Sequence, residues 1–175
     1  INVKALPLEY MKKVYEIAHQ KMVPVHLDGA RIFNAATALK CDVSDIAQYA
    51  DSVSVCLSKG LAAPVGTVLI GTKKFVDRAR DLRKLMGGGM RQAGFLAAAG
   101  IIALEKMSKR LYIDHENARY LAEQLETIEG ITVDHSERDI NIVFFDTEDP
   151  RRENLDQFLL KHNVKILPYE HPFRF

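Results

Sequence analysis

The 175-residue chain carries 24 basic and 23 acidic side chains, a balance that argues against a nucleic-acid or membrane-surface footprint. Its 47% apolar content is that of a globular chain, and no run reaches the roughly 18 apolar residues of a membrane span. Two cysteines, Cys41 and Cys56, make no disulfide framework, which suits a reducing, cytoplasmic compartment; no signal-peptide pattern is visible, and this length suits one domain, or one and a partial second.

Residues 7–20 place Leu8, Met11, Val14, Tyr15 and Ala18 on one stripe, which predicts a helix with Pro7 in its first turn. Residues 22–27 predict a short buried strand, weakened by Pro24 inside it; His26 reads as a structural histidine. Asp28-Gly29-Ala30-Arg31 follows at the strand's carboxyl end, and helical spacing resumes over 30–39. Residues 42–49 predict a second short helix with Asp42 or Ser44 as N-cap. Residues 52–58 alternate: Val53, Val55 and Leu57 on one face, Ser52, Ser54, Cys56 and Ser58 on the other. Lys59 and Gly60 end that run. Strand, helix and strand in this order predict an α/β fold, with a mainly parallel sheet, right-handed crossovers and helices on both faces.

Beyond a turn at 61–64, residues 66–71 predict a strand, and Thr72 caps a charged helix over 74–85 that Gly87-Gly88-Gly89 ends. Residues 93–106, rich in alanine, predict a closely packed buried helix, and 111–128 a long amphipathic one. After Gly130 the texture changes: strands over 131–133, 141–145 and 164–167, a turn at 149–150 and a helix over 153–162. Strands covered by one helix suggest a small α+β unit, so residues 1–110 are read as part of a large domain and 111–175 as the connecting helix and part of a small C-terminal domain. Ile1 stands within an extended stretch, and Phe173-Arg174-Phe175 reads as the start of a strand. Part of a longer protein is the expectation.

Asp28 and Lys59 each close a predicted strand of one sheet, and open α/β sheets bind ligands at the carboxyl ends of their strands. A lysine against a desolvated wall loses part of its preference for the charged form, and a neutral amine attacks carbonyls. Pyridoxal phosphate needs such a lysine, and commonly a carboxylate to keep its pyridine nitrogen protonated. A plain salt bridge between the two residues stands beside that reading. Lys84 and Arg91 bracket the triple glycine and are candidates for the cofactor's phosphate, although a simple helix terminator explains the glycines as well. Arg31, three residues after Asp28, suits bidentate recognition of a substrate carboxylate, or else opens a helix at the surface. No GxGxxG or GxxxxGK[ST] fingerprint occurs, and no metal-ligating set is read.

HLDGAR at 26–31, LSKGLAAPVGTVLIG at 57–71 and RKLMGGGMRQAGFLAAAGI at 83–101 together resemble low-specificity L-threonine aldolases, within the β-eliminating-lyase branch of the aspartate-aminotransferase-like pyridoxal-phosphate enzymes. The likeness runs in matching order over most of residues 5–125 and thins to general layout past 130. It implies that Lys59 is the Schiff-base lysine and that Asp28 pairs with the pyridinium nitrogen. It implies that Arg31 holds the substrate carboxylate, that Lys84 and Arg91 reach the cofactor phosphate across a subunit interface, and that Arg174 matches a second carboxylate-binding arginine. It also implies a homo-oligomer, dimer or tetramer, with shared active sites. The glycine–threonine phosphate loop and two active-site histidines of such enzymes would precede Ile1.

The implied reaction is cleavage of L-threonine or L-allo-threonine to glycine and acetaldehyde, serving threonine breakdown and glycine formation. Another β-eliminating pyridoxal-phosphate lyase, an inactive truncated chain and, more weakly, a plain nucleotide-binding domain remain as other readings.

Overall fold

Residues 6–111 fold around β2 (Ser52–Cys56). Its apolar residues Val53 and Val55 are 3% and 5% exposed, so the alternation seen in sequence does sort the strand into a core face and an open face. The computed structural model describes residues 4–135, 139–167 and 173–174. It divides into two units, Leu6–Leu111 and Ile1–Ala5 with Tyr112–Phe175.

In the first unit β1 (His26–Asp28) pairs in parallel with β2, His26 opposite Ser52 and Asp28 opposite Ser54. On its other side β2 pairs antiparallel with β3 (Thr67–Gly71). The described sheet thus holds one parallel and one antiparallel pairing. β1 is shorter than the predicted strand over 22–27. Met22 and Val23 donate their N–H groups back to His19 and Ala18 and so finish the preceding helix, and Pro24 has no N–H to give.

That helix, α1 (Leu8–Gln20), lays Leu8 and Met11 on the core formed by α2 (Ile32–Leu39), α3 (Val43–Ala47) and the apolar face of β1 and β2. α3 is closed by a capping box: Asp42 accepts the Ser44 N–H at 2.8 Å, and Asp45 accepts the Asp42 N–H at 2.9 Å. α4 (Lys73–Leu85) starts where predicted, with the Thr72 hydroxyl accepting the Phe75 N–H.

α5 (Gly94–Glu105) departs from expectation. A helix apolar all round reads as a buried one, yet only Gly100 and Ala103 are buried. Phe95, Ile101 and Ile102 are more than half exposed. The helix meets its core through Ala103, which packs with Leu57, Leu61 and Leu111, and through Gly100, where a Cβ would lie 3.2 Å from Leu57 Cδ1. The expected close packing is therefore not met within the described residues, and most of the helix's apolar surface is left uncovered by them.

The second unit holds α6 (Leu111–Glu126), α7 (Leu155–Lys161) and an antiparallel sheet in the order β4 (Ile131–Val133), β5 (Phe144–Thr147), β6 (Phe173–Arg174). Ala118, Ala122 and Leu125 of α6 pack on Val133, Phe145 and Phe173, and the two phenyl rings stack at 5.4 Å. Burying a side chain such as Phe145 is worth about 1.5–3 kcal/mol. β5 lies later than the predicted strand over 141–145, because its ladder with β4 runs from Phe145 to Thr147 and its ladder with β6 from Phe144 to Phe145. The predicted strand over 164–167 is absent apart from an isolated bridge at Leu167. Asn163 turns left-handed, with φ 61°, and Val164 donates to Leu159, so these residues cap α7 instead. Ile1 and Phe175, on which the sequence reading of the chain ends rests, lie outside the described residues.

Candidate active site

β1 and β2 are parallel neighbours, so their carboxyl ends open on the same edge of the sheet. Asp28 is the last residue of β1, and Lys59 follows the end of β2 at Cys56 by three residues. The chain turns sharply after each. Gly29 allows the first turn: a Cβ there would lie 2.9 Å from Val53 Cγ1 and 3.0 Å from the Ser54 carbonyl oxygen. No other residue brings the backbone so near β2 without displacing it. The Ala30 N–H then donates to Asp28 Oδ1 at 3.1 Å, which orients the carboxylate and leaves Oδ2 for another donor. Asp28 is exposed.

The second turn is set by backbone pairing. Leu57 N–H reaches the Gly66 carbonyl at 2.9 Å, Ala63 N–H the Leu57 carbonyl at 2.9 Å, and Ala62 N–H the Lys59 carbonyl at 2.9 Å. Leu57 and Leu61 anchor the turn in a cluster with Ala63, Ala103 and Leu111. Lys59 itself is exposed, and the desolvating wall anticipated from sequence is not supplied by the described residues. No ion pair joins Asp28 to Lys59 among the described residues, so the simple salt bridge is not formed.

Arg31 sits at the cap of α2, partly buried. Its charge and that of Lys59 are both felt at Cys56, on the open face of β2. Burial pushes that thiol up, but hydrogen bonds with Ser58 and the two positive charges outweigh it and bring the thiol below its ordinary value. Asp28, Arg31, Cys56 and Lys59 therefore gather at one edge. His26 takes the structural place expected of it, with Nδ1 2.8 Å from Ser52 Oγ, tying the two parallel strands.

Lys84 lies in the last turn of α4, and Arg91 in the segment before α5; both are exposed. Neither is joined to Asp28 or Lys59 by a hydrogen bond or ion pair among the described residues. The glycines between them serve the local structure. Gly87 is left-handed at φ 83°, and Gly88 donates to the Arg83 carbonyl at 2.8 Å, closing the helix. Arg174 is in β6 opposite Phe144, and its side chain lies outside the described residues.

Sequence reasoning passed over Asn34. It is 2% exposed in α2, and its carboxamide oxygen would lie 3.0 Å from a Cβ on Gly60, next to Lys59. The available signal was a single amide in the apolar run Ile32–Leu39, one helical turn after Arg31.

At this edge stand an amine, a carboxylate with one oxygen oriented and a guanidinium. They suit a carbonyl, a protonated ring nitrogen and a carboxylate respectively. The residues present therefore fit the lysine and ring-nitrogen partners of pyridoxal phosphate.

Residues 2–148 match the beta-eliminating lyase family. The low-specificity L-threonine aldolase of Escherichia coli K12 is 44% identical over 165 residues, covering 94% of this chain and 49% of the relative. Low-specificity L-threonine aldolase 1 of Arabidopsis thaliana is 47% identical over 167 residues, covering 94% and 47%. A crystal structure from Exiguobacterium sp. 255-15, of a protein named after aromatic amino acid beta-eliminating lyases and threonine aldolases, aligns with a TM-score of 0.84 at 20% identity, over 100% of this chain and 51% of that one. The fold is thus that of these α/β proteins, and the chain spans about half the length of the curated relatives it matches. With the family pattern running through both turns of the site, the chain belongs to the beta-eliminating lyase family.

Proposed function

We propose that the complete protein is a pyridoxal-phosphate-dependent lyase that cleaves L-threonine and L-allo-threonine to glycine and acetaldehyde. The observation that supports this reading is the parallel pairing of β1 with β2, which sets Asp28 opposite Ser54 in the strand that leads on to Lys59, in a chain whose relatives bear the aldolase name. When bound, pyridoxal phosphate supplies an electron sink for the bond broken at the substrate's Cα. Lys59 would hold its aldehyde carbon, and Asp28 its ring nitrogen. Lys84 and Arg91 would meet its phosphate, from a partner subunit in a dimer or tetramer.

Arg31, with Arg174, would bind the substrate carboxylate. Fixing that group selects which Cα bond is aligned for cleavage, an orientation effect worth several kcal/mol, and up to about 7–11 kcal/mol in well-aligned systems. The β-hydroxyl loses its proton, the Cα–Cβ bond breaks, acetaldehyde leaves, and Cα regains a proton to give glycine. Asp28, as an anion, would keep that ring nitrogen protonated, so that the ring can accept the electrons of the broken bond.

In this reading residues 1–110 are part of the cofactor-binding large domain, whose complete sheet is mainly parallel with helices on both faces. Residues 111–175 are the connecting helix and part of a small α+β domain. A cytoplasmic location goes with it. No helix of the described residues is long and apolar enough to cross a membrane.

The family also favours a second reading, β-elimination on an aromatic amino acid, which would use the same Asp28 and Lys59. Product analysis of the complete protein with threonine, allo-threonine and tyrosine decides between them. Glycine and acetaldehyde in equal amounts support the aldol reading, and release of phenol and ammonia from tyrosine replaces it. Lys59→Ala should remove the borohydride-reducible link between protein and cofactor. A link that survives refutes the assignment of Lys59.

A further inference from the structure

Asn34 has no part in the chemistry above, yet it occupies a costly position. Its carboxamide is 2% exposed within a helix whose neighbouring buried residues are Ile32 and Ala36. A buried amide gains nothing from the hydrophobic effect, and leaving it unsatisfied costs about 1–3 kcal/mol. Leucine or alanine would serve helix and core better at this site. A buried amide is held by its own polar interactions and by the neighbour it packs against.

Its surroundings identify that neighbour. A Cβ placed on Gly60 would meet Asn34 Oδ1 at 3.0 Å, Leu111 Cδ2 at 3.1 Å and Asn34 Nδ2 at 3.5 Å. The carboxamide thus packs beside Gly60, the residue that follows Lys59. The turn is anchored by apolar side chains at Leu57 and Leu61, 7% and 4% exposed. Between those anchors, Ser58 and Lys59 are exposed. At Gly60 the amide and Leu111 form the floor. Ala62 adopts a left-handed φ of 58°, so the turn is also a tight one.

The other end of the same helix carries the other half of the site. α2 begins at the Arg31 cap, directly after Asp28, and the Ile32 N–H donates to the Gly29 carbonyl at 3.0 Å. Asn34 lies in the first turn of the helix that Arg31 caps. One rigid element touches the Asp28–Arg31 turn at its start and the Lys59–Gly60 turn one helical turn later. A ligand gripped at two ends requires those ends held within about 0.5 Å of the productive geometry.

We propose that Asn34 is a positioning residue: by seating Gly60 on α2, it sets the spacing of Lys59 from Asp28 and Arg31. The proposal rests on the reading of Lys59 and Asp28 as the cofactor-holding pair. It predicts that the turn needs both an amide at 34 and the absence of a side chain at 60. A leucine at 34 has the same number of side-chain heavy atoms in a bulkier, non-planar form, so it cannot seat Gly60 as the carboxamide does. An alanine at 60, whose φ is not left-handed, is tolerated by the backbone but pushes the turn off its floor.

The test uses the complete protein with Asn34→Leu and Gly60→Ala. Four properties are read: the melting temperature without cofactor, the cofactor dissociation constant, the pH midpoint of the visible absorbance of lysine-linked cofactor, and kcat with KM. Both variants should melt within a few degrees of the parent. Both should bind cofactor about tenfold or more weakly, move the absorbance midpoint, and lose about a hundredfold in kcat, the loss that a 1 Å misplacement brings, with KM changing much less.

A folded Asn34→Leu that matches the parent in dissociation constant, absorbance midpoint and kcat overturns the proposal. Should Asn34→Leu fail to fold, Gly60→Ala decides: parental values in that variant overturn the proposal, and the shifted values sustain it. Absence of borohydride trapping at Lys59 in the parent removes the cofactor reading and the proposal with it. Normal trapping in the parent with both variants unaffected removes only the role of Asn34.

Discussion

Asp28 Oδ1 accepts the backbone N–H of Ala30 at 3.1 Å, so the carboxylate that closes β1 is oriented by the turn that follows it. An asparagine could keep that acceptor while losing the charge. In the complete protein, Asp28→Asn should therefore preserve the fold and substrate KM but lower kcat by about 10²–10³-fold, the range for removing one preorganised electrostatic contact. Steady-state kinetics on threonine checks this, and unchanged turnover would exclude Asp28 from partnering the ring nitrogen.

At Gly29 the chain passes close against β2. Gly29→Ala would drive a methyl into Val53 Cγ1 at 2.9 Å and the Ser54 carbonyl at 3.0 Å. Val53 is 3% exposed and β-branched, and the carbonyl belongs to the sheet, so neither gives way easily. Overpacking of this kind costs about 1–3 kcal/mol. The midpoint of urea unfolding should fall accordingly, and a parental midpoint would mean that the turn relaxes away from β2.

Asp51 joins α1 to the start of both parallel strands. Its Oδ2 accepts the Val25 N–H at 2.7 Å and lies 2.9 Å from His19 Nε2. These bonds, the Val25 N–H first and the His19 ring second, hold the carboxyl below its ordinary value of 3.8. For a depressed carboxyl the stabilisation is complete above the unfolded-state value and disappears as pH falls through the lower folded-state value. Unfolding midpoints measured from pH 6 down to pH 2 should therefore drop below about pH 4. Asp51→Asn should flatten part of that drop, and an acid limb identical in the two proteins would show that the contact does not contribute.

The two thiols are pushed in opposite directions. Burial, then Asp45 and Asp42, raise Cys41, whereas Ser58, Lys59 and Arg31 bring Cys56 below its ordinary value against the opposing effect of burial. The thiolate is the reactive form, so iodoacetamide near pH 7.5 should label Cys56 before Cys41. Peptide mass spectrometry reads the order. In the complete protein, pyridoxal phosphate should slow labelling at Cys56 alone; equal protection of both thiols, or of neither, would place the cofactor elsewhere.

Much of this molecule was written in local pattern. The period-2 alternation of residues 52–58 foretold which side chains of β2 enter the core, because successive side chains of a strand must point to opposite faces. Asp42 and Thr72 marked helix starts, since their side chains satisfy N–H groups that the first turn leaves open. The DGAR and SKG motifs marked the two turns of the site. Local pattern misjudged α5, where composition measures only an appetite for burial, and the residues that would satisfy it for Phe95, Ile101 and Ile102 are not among those described. It also misplaced the strand at 164–167, because Val164 spends its N–H on closing α7.

By itself, the order of residues determined the chemistry on offer: an amine, a carboxylate and a guanidinium, each beside a glycine or a turn, in a family-specific succession. Only the tertiary structure decided that they share an edge, because parallel pairing brings together Asp28 and Ser54, distant in the chain, through backbone hydrogen bonds that no side-chain pattern encodes. The tertiary structure likewise decided that Asn34 lies beneath Gly60. That contact depends on how a helix seats against a turn, and helix packing is settled by the shapes of many side chains at once.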